Sequence, residues 1–417
     1  MARTKLKLKS IASGTIPGRI KIANENITAG SVDSDAMGAG AISPAKLSDF
    51  AQSLTNRNVI INGAMNVAQR QVSVTGLGAS SGYFTVDRFK MVCNNTAGRF
   101  TMTQTADGPS GFANCLKLDC TTADTSIASN EEFGILYRME GQDLQHFKKG
   151  TSGAYKTTLS FYVKGNAAAT YVAELMDSDN SSRHIGATFN VTTDWTRVEI
   201  TFPGDTTGTL DDDSNASLDL QFFLHAGSNN TSGTLQTSWG SLVQANRAVG
   251  ISSFFDSTDR TFFITGIQLE VGETATEFEH ETFNATRYKC LRYYETNYED
   301  GYYPADGVTY SNTYSTFPGN CYHQTGGGRY IMTSHRFLVQ KRTSPSMTLY
   351  RVAGLGSGST ANRWSWFNYS AGWELTDDST EVGEISSQHH GALVRDTEAN
   401  VNEALVVAGG WQADAEL

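Results

Sequence analysis

A spacing of five constrains this chain more than any other feature. Ile22, Ile27, Val32, Met37, Ile42 and Leu47 recur at every fifth residue, and Leu6, Ile11 and Ile16 keep the same step upstream, with one extra residue before Ile22. A helix repeats every 3.6 residues and a strand every 2, so neither explains the pattern. The residues between are Gly, Ser, Asn, Asp, Thr and Ala, which turn easily and build no core. Each pentad must bury its one apolar residue against something outside itself. Wound as a single-chain β-helix, the nine pentads would make only about two turns, few for a solenoid. A bundle in which the same residue of three chains meets on an axis suits the pattern better. It predicts a thin homotrimeric shaft of at most roughly 135 Å if fully extended. Ser43 and Pro44 then provide an N-cap and a first helical residue, and Leu47, Phe50 and Leu54 share one face. Such a helix of about three turns is marginal alone, and three copies would form a short bundle.

Beyond residue 56 the chain changes character. TTLSFYVKG (157–165), YVAELMD (171–177), TRVEITFPG (196–204), LDLQFFLHAG (218–227) and RTFFITGIQLEVG (260–272) alternate apolar with polar residues or run as short apolar stretches. Gly, Asn and Asp clusters separate them. Charged residues are only 18%, Gly numbers 40, and 21 Phe, 17 Tyr and 6 Trp supply the aromatics, a balance that points to an all-β protein. The expected architecture is a pentad-repeat trimeric shaft (20–56), a jelly-roll β-sandwich (57–280), a linking helix (281–296) and a smaller C-terminal β-sandwich (297–417). In the linker, Asn284 is a possible N-cap, with Tyr288, Leu291 and Tyr294 nearly on one face. HRFLVQ (335–340), SMTLYRVAG (346–354) and ALVVAGGWQ (404–412) read as strands of the last domain.

The net charge of −11 excludes the clustered Lys and Arg of a nucleic-acid track. No 18-residue apolar run exists to span a membrane, and no secretory signal is visible. Five cysteines without a CxxC pair read as buried free thiols.

NRNVIINGAMNVAQRQ (56–71) followed by YFTVDRF (83–89) resembles the opening of a domain found in bacteriophage tail fibre and virion structural proteins. RMEGQDLQHF with TLSFYVKG, WTRVEITFPGDTTGT (195–209) and ITGIQLEVGETATEFEHETF running into CLRYYE are similar to the same family, as are the pentad stem and the terminal GWQADAEL. The resemblance covers roughly residues 20–300 well. It implies a carbohydrate-binding-module-like jelly roll on a trimeric stem, used in host attachment, with residues 1–19 as a virion anchor and the C-terminal domain distal and receptor-facing. Arg3, Lys5, Lys7 and Lys9 would then fit an acidic or edge-strand socket in a neighbouring virion protein of the tail or head.

Read as residues, the motifs are chiefly structural. Asn62–Gly63 signals a turn, Gln69 and Arg70 would pin the first strand, and Asp87 and Arg88, adjacent in a strand, would seek separate partners. The candidate recognition surface is distal: Trp364, Trp366, Tyr369 and Trp373, with Phe367, could stack on sugar rings or lie in a core. In an extended strand one of the pairs Trp364/Trp366 and Phe367/Tyr369 would face inward. The Tyr-rich stretch 299–317 reads equally as binding loops or as interface packing.

No HExxH, GxSxG, Walker A or dinucleotide fingerprint occurs, and no cofactor is called for. Asp211 and Asp213 are a weak calcium candidate against a solvated acidic turn. The leading function is a trimeric phage tail fibre, non-enzymatic, binding a host surface glycan or envelope protein through avidity. A capsid-bound head fibre or decoration protein, and a tailspike-like depolymerase, are the alternatives.

Overall fold

A computed structural model of the chain describes residues 56–309, 316–323, 329–353, 363–368, 372–375, 380–395 and 404–417. The nine pentad positions Leu6 to Leu47, the helix at 43–54 and Tyr369 lie outside the described residues.

Among the described residues the fold is nearly all β. Twelve strands build a first sandwich: β1 (Ser73–Leu77), β2 (Gly82–Tyr83), β3 (Lys90–Asn94), β4 (Arg99–Thr105), β5 (Cys115–Thr122), β6 (Glu132–Glu140), β7 (Thr157–Gly165), β8 (Ala169–Asp177), β9 (Arg183–Val191), β10 (Thr196–Phe202), β11 (Ala216–Ala226) and β12 (Thr261–Val271). They pair antiparallel into two six-stranded sheets, ordered β1-β4-β5-β12-β7-β10 and β2-β3-β6-β11-β8-β9. Alternation makes the core. Leu159, Phe161 and Val163 of β7 meet Leu218, Leu220, Phe222 and Leu224 of β11, with the Phe161 and Phe222 rings edge-on at 5.0 Å.

The outer face of the second sheet breaks the expected alternation, because residues 227–252 fold back over it. Asp219, Gln221, Glu174 and His184 point away from the core and are nonetheless buried. Arg247 lies over this face and donates to both Glu174 carboxylate oxygens, while His184 Nδ1 sits 2.7 Å from Glu174 Oε1. Val172, Phe223, Ala226 and Ala248 form a small second core under the same cover.

Twelve further strands follow: β13 (Tyr294–Thr296), β14 (Val308–Thr309), β15 (Thr316–His323), β16 (Arg329–Arg336), β17 (Ser346–Tyr350), β18 (Val352–Ala353), β19 (Ser365–Asn368), β20 (Gly372–Leu375), β21 (Glu381–Ile385), β22 (His389–Arg395), β23 (Ala404–Ala408) and β24 (Gly410–Asp414). A three-stranded sheet (β13-β24-β17) faces a seven-stranded one (β20-β19-β23-β15-β16-β22-β21) across a core that includes Ile331, Leu349, Trp364, Trp366, Val407 and Trp411. HRFLVQ is not a strand. β16 ends at Arg336, and the next residues turn so that Phe337 N–H donates to Gln388 O and Lys341 N–H to Ser387 O.

A helix runs over Phe283–Leu291, between the two sandwiches. Thr282, not Asn284, is its N-cap, its hydroxyl accepting from Ala285 N–H at 3.3 Å. Tyr288 is exposed, Leu291 is buried, and Tyr294 belongs to β13, so the three share no face. Cys93, Cys115, Cys120 and Cys290 are free and buried, and burial raises each thiol pKa.

Candidate functional site

The site is built from the opening motif of the first sandwich. Asn62 adopts a left-handed backbone (φ +64°) and is buried. Its Oδ1 accepts from Asn66 and Val67 N–H at 2.9 and 3.0 Å, and its Nδ2 donates to Val67 O and Asp87 O. One side chain thus holds the whole turn. Gly63 is required beside it, since a Cβ there would stand 2.1 Å from Ile267 O. VDRF is a turn rather than a strand. Arg88 takes φ +75°, an uncommon conformation for a bulky residue, and its neighbours hold it there.

That turn grips the far end of the chain. The Arg88 guanidinium pairs with Glu416, donates to Arg138 O at 2.7 Å, and lies 3.4 Å from the centre of the Tyr293 ring. Arg70 donates to Asp414 Oδ2 at 3.0 Å and stacks 3.8 Å from the Tyr294 ring centre. Gln69 Nε2 donates to Asp87 Oδ2 and to Tyr294 O. Burial pushes the Asp87 carboxyl up to about 6 against the pull of Arg70 and Gln69. The two ends of the resemblance, the opening motif and GWQADAEL, therefore meet in space.

A cleft of about 160 Å³ opens along this seam. Its walls are Asn66, Gln69 and Gln104 of the first sandwich, Phe283 and Arg287 of the helix, and Glu299, Asp300, Tyr302 and Tyr303 after β13. Phe283 and Tyr302 are 46% and 43% exposed, unusual for large rings. Burial raises the Tyr303 hydroxyl pKa, with Asp300 adding to it, so the phenol stays a neutral donor. Arg287 pairs with Asp300 at 3.1 Å. Two buried polar atoms here have no partner among the described residues: Gln69 Oε1, on a side chain only 9% exposed, and Arg287 Nε. Both atoms are closed off from solvent by the packing around them. Tyr298 backs the cleft, its hydroxyl donating to Ala305 O, and fits because Gly410 lacks a Cβ, which would lie 2.1 Å from the Tyr298 hydroxyl oxygen.

A wider hollow of about 830 Å³ lies on the other side of the helix, walled by Val59, Ile61, Ala285, Tyr288 and Val339. Two of its cations are paired: Arg292 donates twice to Glu140, at 2.8 and 2.7 Å, and Lys289 pairs with Glu281, while Asp143 and His146 also line it.

The residues singled out from sequence fare unevenly. Trp364 (0% exposed) and Trp366 (3%) belong to the C-terminal core and offer no ring to a ligand, which corrects their candidacy for glycan stacking. Phe367 and Trp373 lie on the opposite face, half-buried, with ring centres 5.4 Å apart. Asp213 accepts the backbone and side-chain N–H groups of Asn215 and closes a turn, while Asp211 is exposed. Neither joins a group of three metal-ligating side chains among the described residues. Asp124, Glu131 and His225 do bring ligand atoms within 4.8 Å of one another. There both histidine nitrogens are engaged, Nε2 by Glu131 at 2.9 Å and Nδ1 by Ser253 at 2.8 Å, and Asp124 accepts from Thr96 and Ala97. The trio is a hydrogen-bonded network tying loops together.

No family model and no curated protein matches the chain. Among solved structures, a family 4 carbohydrate-binding module is similar at 10% identity and a TM-score of 0.28, over 51% of this chain and 98% of that one. A family 11 module of a Clostridium thermocellum cellulosomal cellulase is similar at 14% and 0.25, over 47% and 95%. The enzymatically active domain of tailspike protein 4 of bacteriophage CBA120 is similar at 10% and 0.27, over 52% of this chain and 21% of that one. At such values no assignment follows from them.

Proposed function

We propose that this chain is a non-enzymatic virion fibre protein that binds a host surface glycan at the seam cleft, as a trimer joined through the pentads. The cleft carries the reading. Exposed rings beside planar amides, an arginine and carboxylates are what a sugar needs, since its C–H faces pack on aromatics while its hydroxyls seek donors and acceptors. The resemblance of residues 56–89 and of the stem to phage fibre proteins supports the virion setting. Three weak sites on one axis would bind a repetitive cell surface far more tightly than one.

A glycan array probed with the full chain, together with light scattering before and after removal of residues 1–56, tests this. The expected outcome is glycan binding by a trimer that the truncation reduces to monomers with weak residual binding. No glycan bound by the full chain would overturn the binding reading, and a full-length monomer the trimeric one. Release of reducing ends from a bound polysaccharide would overturn the non-enzymatic assignment.

A further inference from the structure

Resting on the trimeric reading, the wider hollow beside the helix gains an occupant. We propose that Leu338 of one copy seats in the hollow walled by Val59, Ile61, Ala285, Tyr288 and Val339 of the next, closing a ring of three copies. Three observations lead there. The first is where the chain enters. Asn56 and Asn58 line the hollow, and the Glu279 carboxylate fixes them by accepting the N–H groups of Asn56, Arg57 and Asn58 at 2.7, 2.7 and 3.0 Å. Asn56 follows the last pentad position, Leu47, by nine residues, at most roughly 32 Å of extended chain. A trimer joined through the pentads therefore holds three copies of this hollow around one axis.

The second is the projection beside it. Leu338 is 67% exposed, the most of any large apolar residue described, and Tyr288, 60% exposed, donates its hydroxyl to Leu338 O at 3.3 Å. The turn that carries Leu338 is rigid. Its N–H donates to Glu295 at 2.9 Å, and that carboxylate pairs with Lys341, both side chains being buried. An apolar anchor held in place this way loses little freedom on binding, which is what the centre of a contact needs. The third is symmetry. Copies around a threefold axis meet heterologously, each giving one surface and receiving another, so the ring needs a projection next to a recess. The recess suits an apolar side chain, because Arg292 and Lys289 are already paired within the copy, and Asp143 and His146, both exposed, give it a polar edge. The contact is small, so it forms where the stem raises the effective concentration of the copies, and removing residues 1–56 still yields monomers.

Two measurements on the full chain test the proposal. Chains with Leu338→Cys and chains with Ala285→Cys, separately tagged and co-expressed, are treated with a short bismaleimide. The expected product is a covalent dimer carrying both tags, absent from the wild type and from either variant expressed alone. Light scattering on dilution should show Leu338→Asp dissociating at a concentration at least about tenfold higher than the wild type. Both positions are exposed, so each copy keeps its fold, which circular dichroism of the variants checks. An intact wild-type trimer that lacks either result overturns the proposal and leaves the stem reading standing. A Leu338→Asp trimer that dissociates like the wild type but no longer binds an array glycan would hand the hollow to the ligand, and overturns it too. A full-length wild-type monomer removes both readings.

Discussion

Arg88 shows what one residue is asked to do here. It holds a positive φ, is 1% exposed, and meets Glu416, the Arg138 carbonyl and the Tyr293 ring at once. Removing one partner of a buried ion pair leaves the other charge desolvated, which costs more than the pair itself contributes. Arg88→Ala should therefore lower the free energy of unfolding in urea by about 3–5 kcal/mol. Arg88→Met combined with Glu416→Gln should cost clearly less than the sum of the two single changes. Simple additivity would mean that the two side chains do not act as a pair. His390 makes the opposite kind of claim. It is buried against Trp411 and Phe337, and neither ring nitrogen has a hydrogen-bond partner among the described residues. Burial, with His335 adding to it, pulls its imidazole down to about 4, below the ordinary 6.5. Between those values the unfolded chain binds the extra proton, so stability is lost as pH falls from 6.5 toward 4 and the loss levels off below. At about 1.4 kcal/mol per pH unit, the wild type should lose roughly 3 kcal/mol relative to His390→Phe between pH 7 and pH 4. Taking the difference between the two proteins cancels the carboxylates, including Asp219, which burial pushes up to about 6. Parallel pH profiles would contradict this account.

Among the elements, β11 and its cover separate what could be read in the sequence from what could not. The period of two in TTLSFYVKG placed β7 at 157–165, because a strand's own alternation carries that signal. In LDLQFFLHAG the same rule marks the strand but holds no sign that Asp219 and Gln221 are buried. The segment that buries them, 227–252, has no apolar period and folds back through polar contacts, chiefly those of Arg247. Arg247→Ala should strand the Glu174 charge, cost about 3–5 kcal/mol, and speed hydrogen exchange in 227–252 before the rest of the sandwich. Unchanged protection there would mean that the apolar residues of that segment hold it without the arginine. The aromatic cluster follows the same logic. Alternation correctly divided Trp364 and Trp366 from Phe367, but which side faces the core depends on the sheet opposite, and that is not a local property. The cleft was legible only in pieces. Gln69 read as a strand pin, Phe283 and Arg287 as parts of a linker helix, and Tyr302 as one of many loop tyrosines. What joins them is a contact between residues 225 apart, from Gln69 to Tyr294, and no local pattern records it.

At the scale of the whole molecule, residues 56–417 form one compact unit although each sandwich has a core of its own. The reason lies in β24. Its strand pairs with β13 and β17 in the smaller sandwich, while Asp414 and Glu416, at and just after its end, are held by Arg70 and Arg88 of the larger one. Arg342 adds bonds to Ala415 O, Glu416 O and Ser214 O, spanning both parts. Neither sandwich can open without breaking buried charge pairs that also serve the other, so the two should melt together. Calorimetry of residues 56–417 is expected to give one transition whose calorimetric and van't Hoff enthalpies agree. A fragment of residues 57–280 should melt well below it, since it keeps Arg70, Asp87 and Arg88 but loses Glu416 and the Tyr293 and Tyr294 rings that cover them. This coupling bears on binding as well. The cleft takes one wall from each sandwich and one from the helix between them, so a ligand bound there should raise the single transition as a whole. Two resolved transitions, with the ligand shifting only one, would instead place the cleft within one sandwich and make the seam a passive joint.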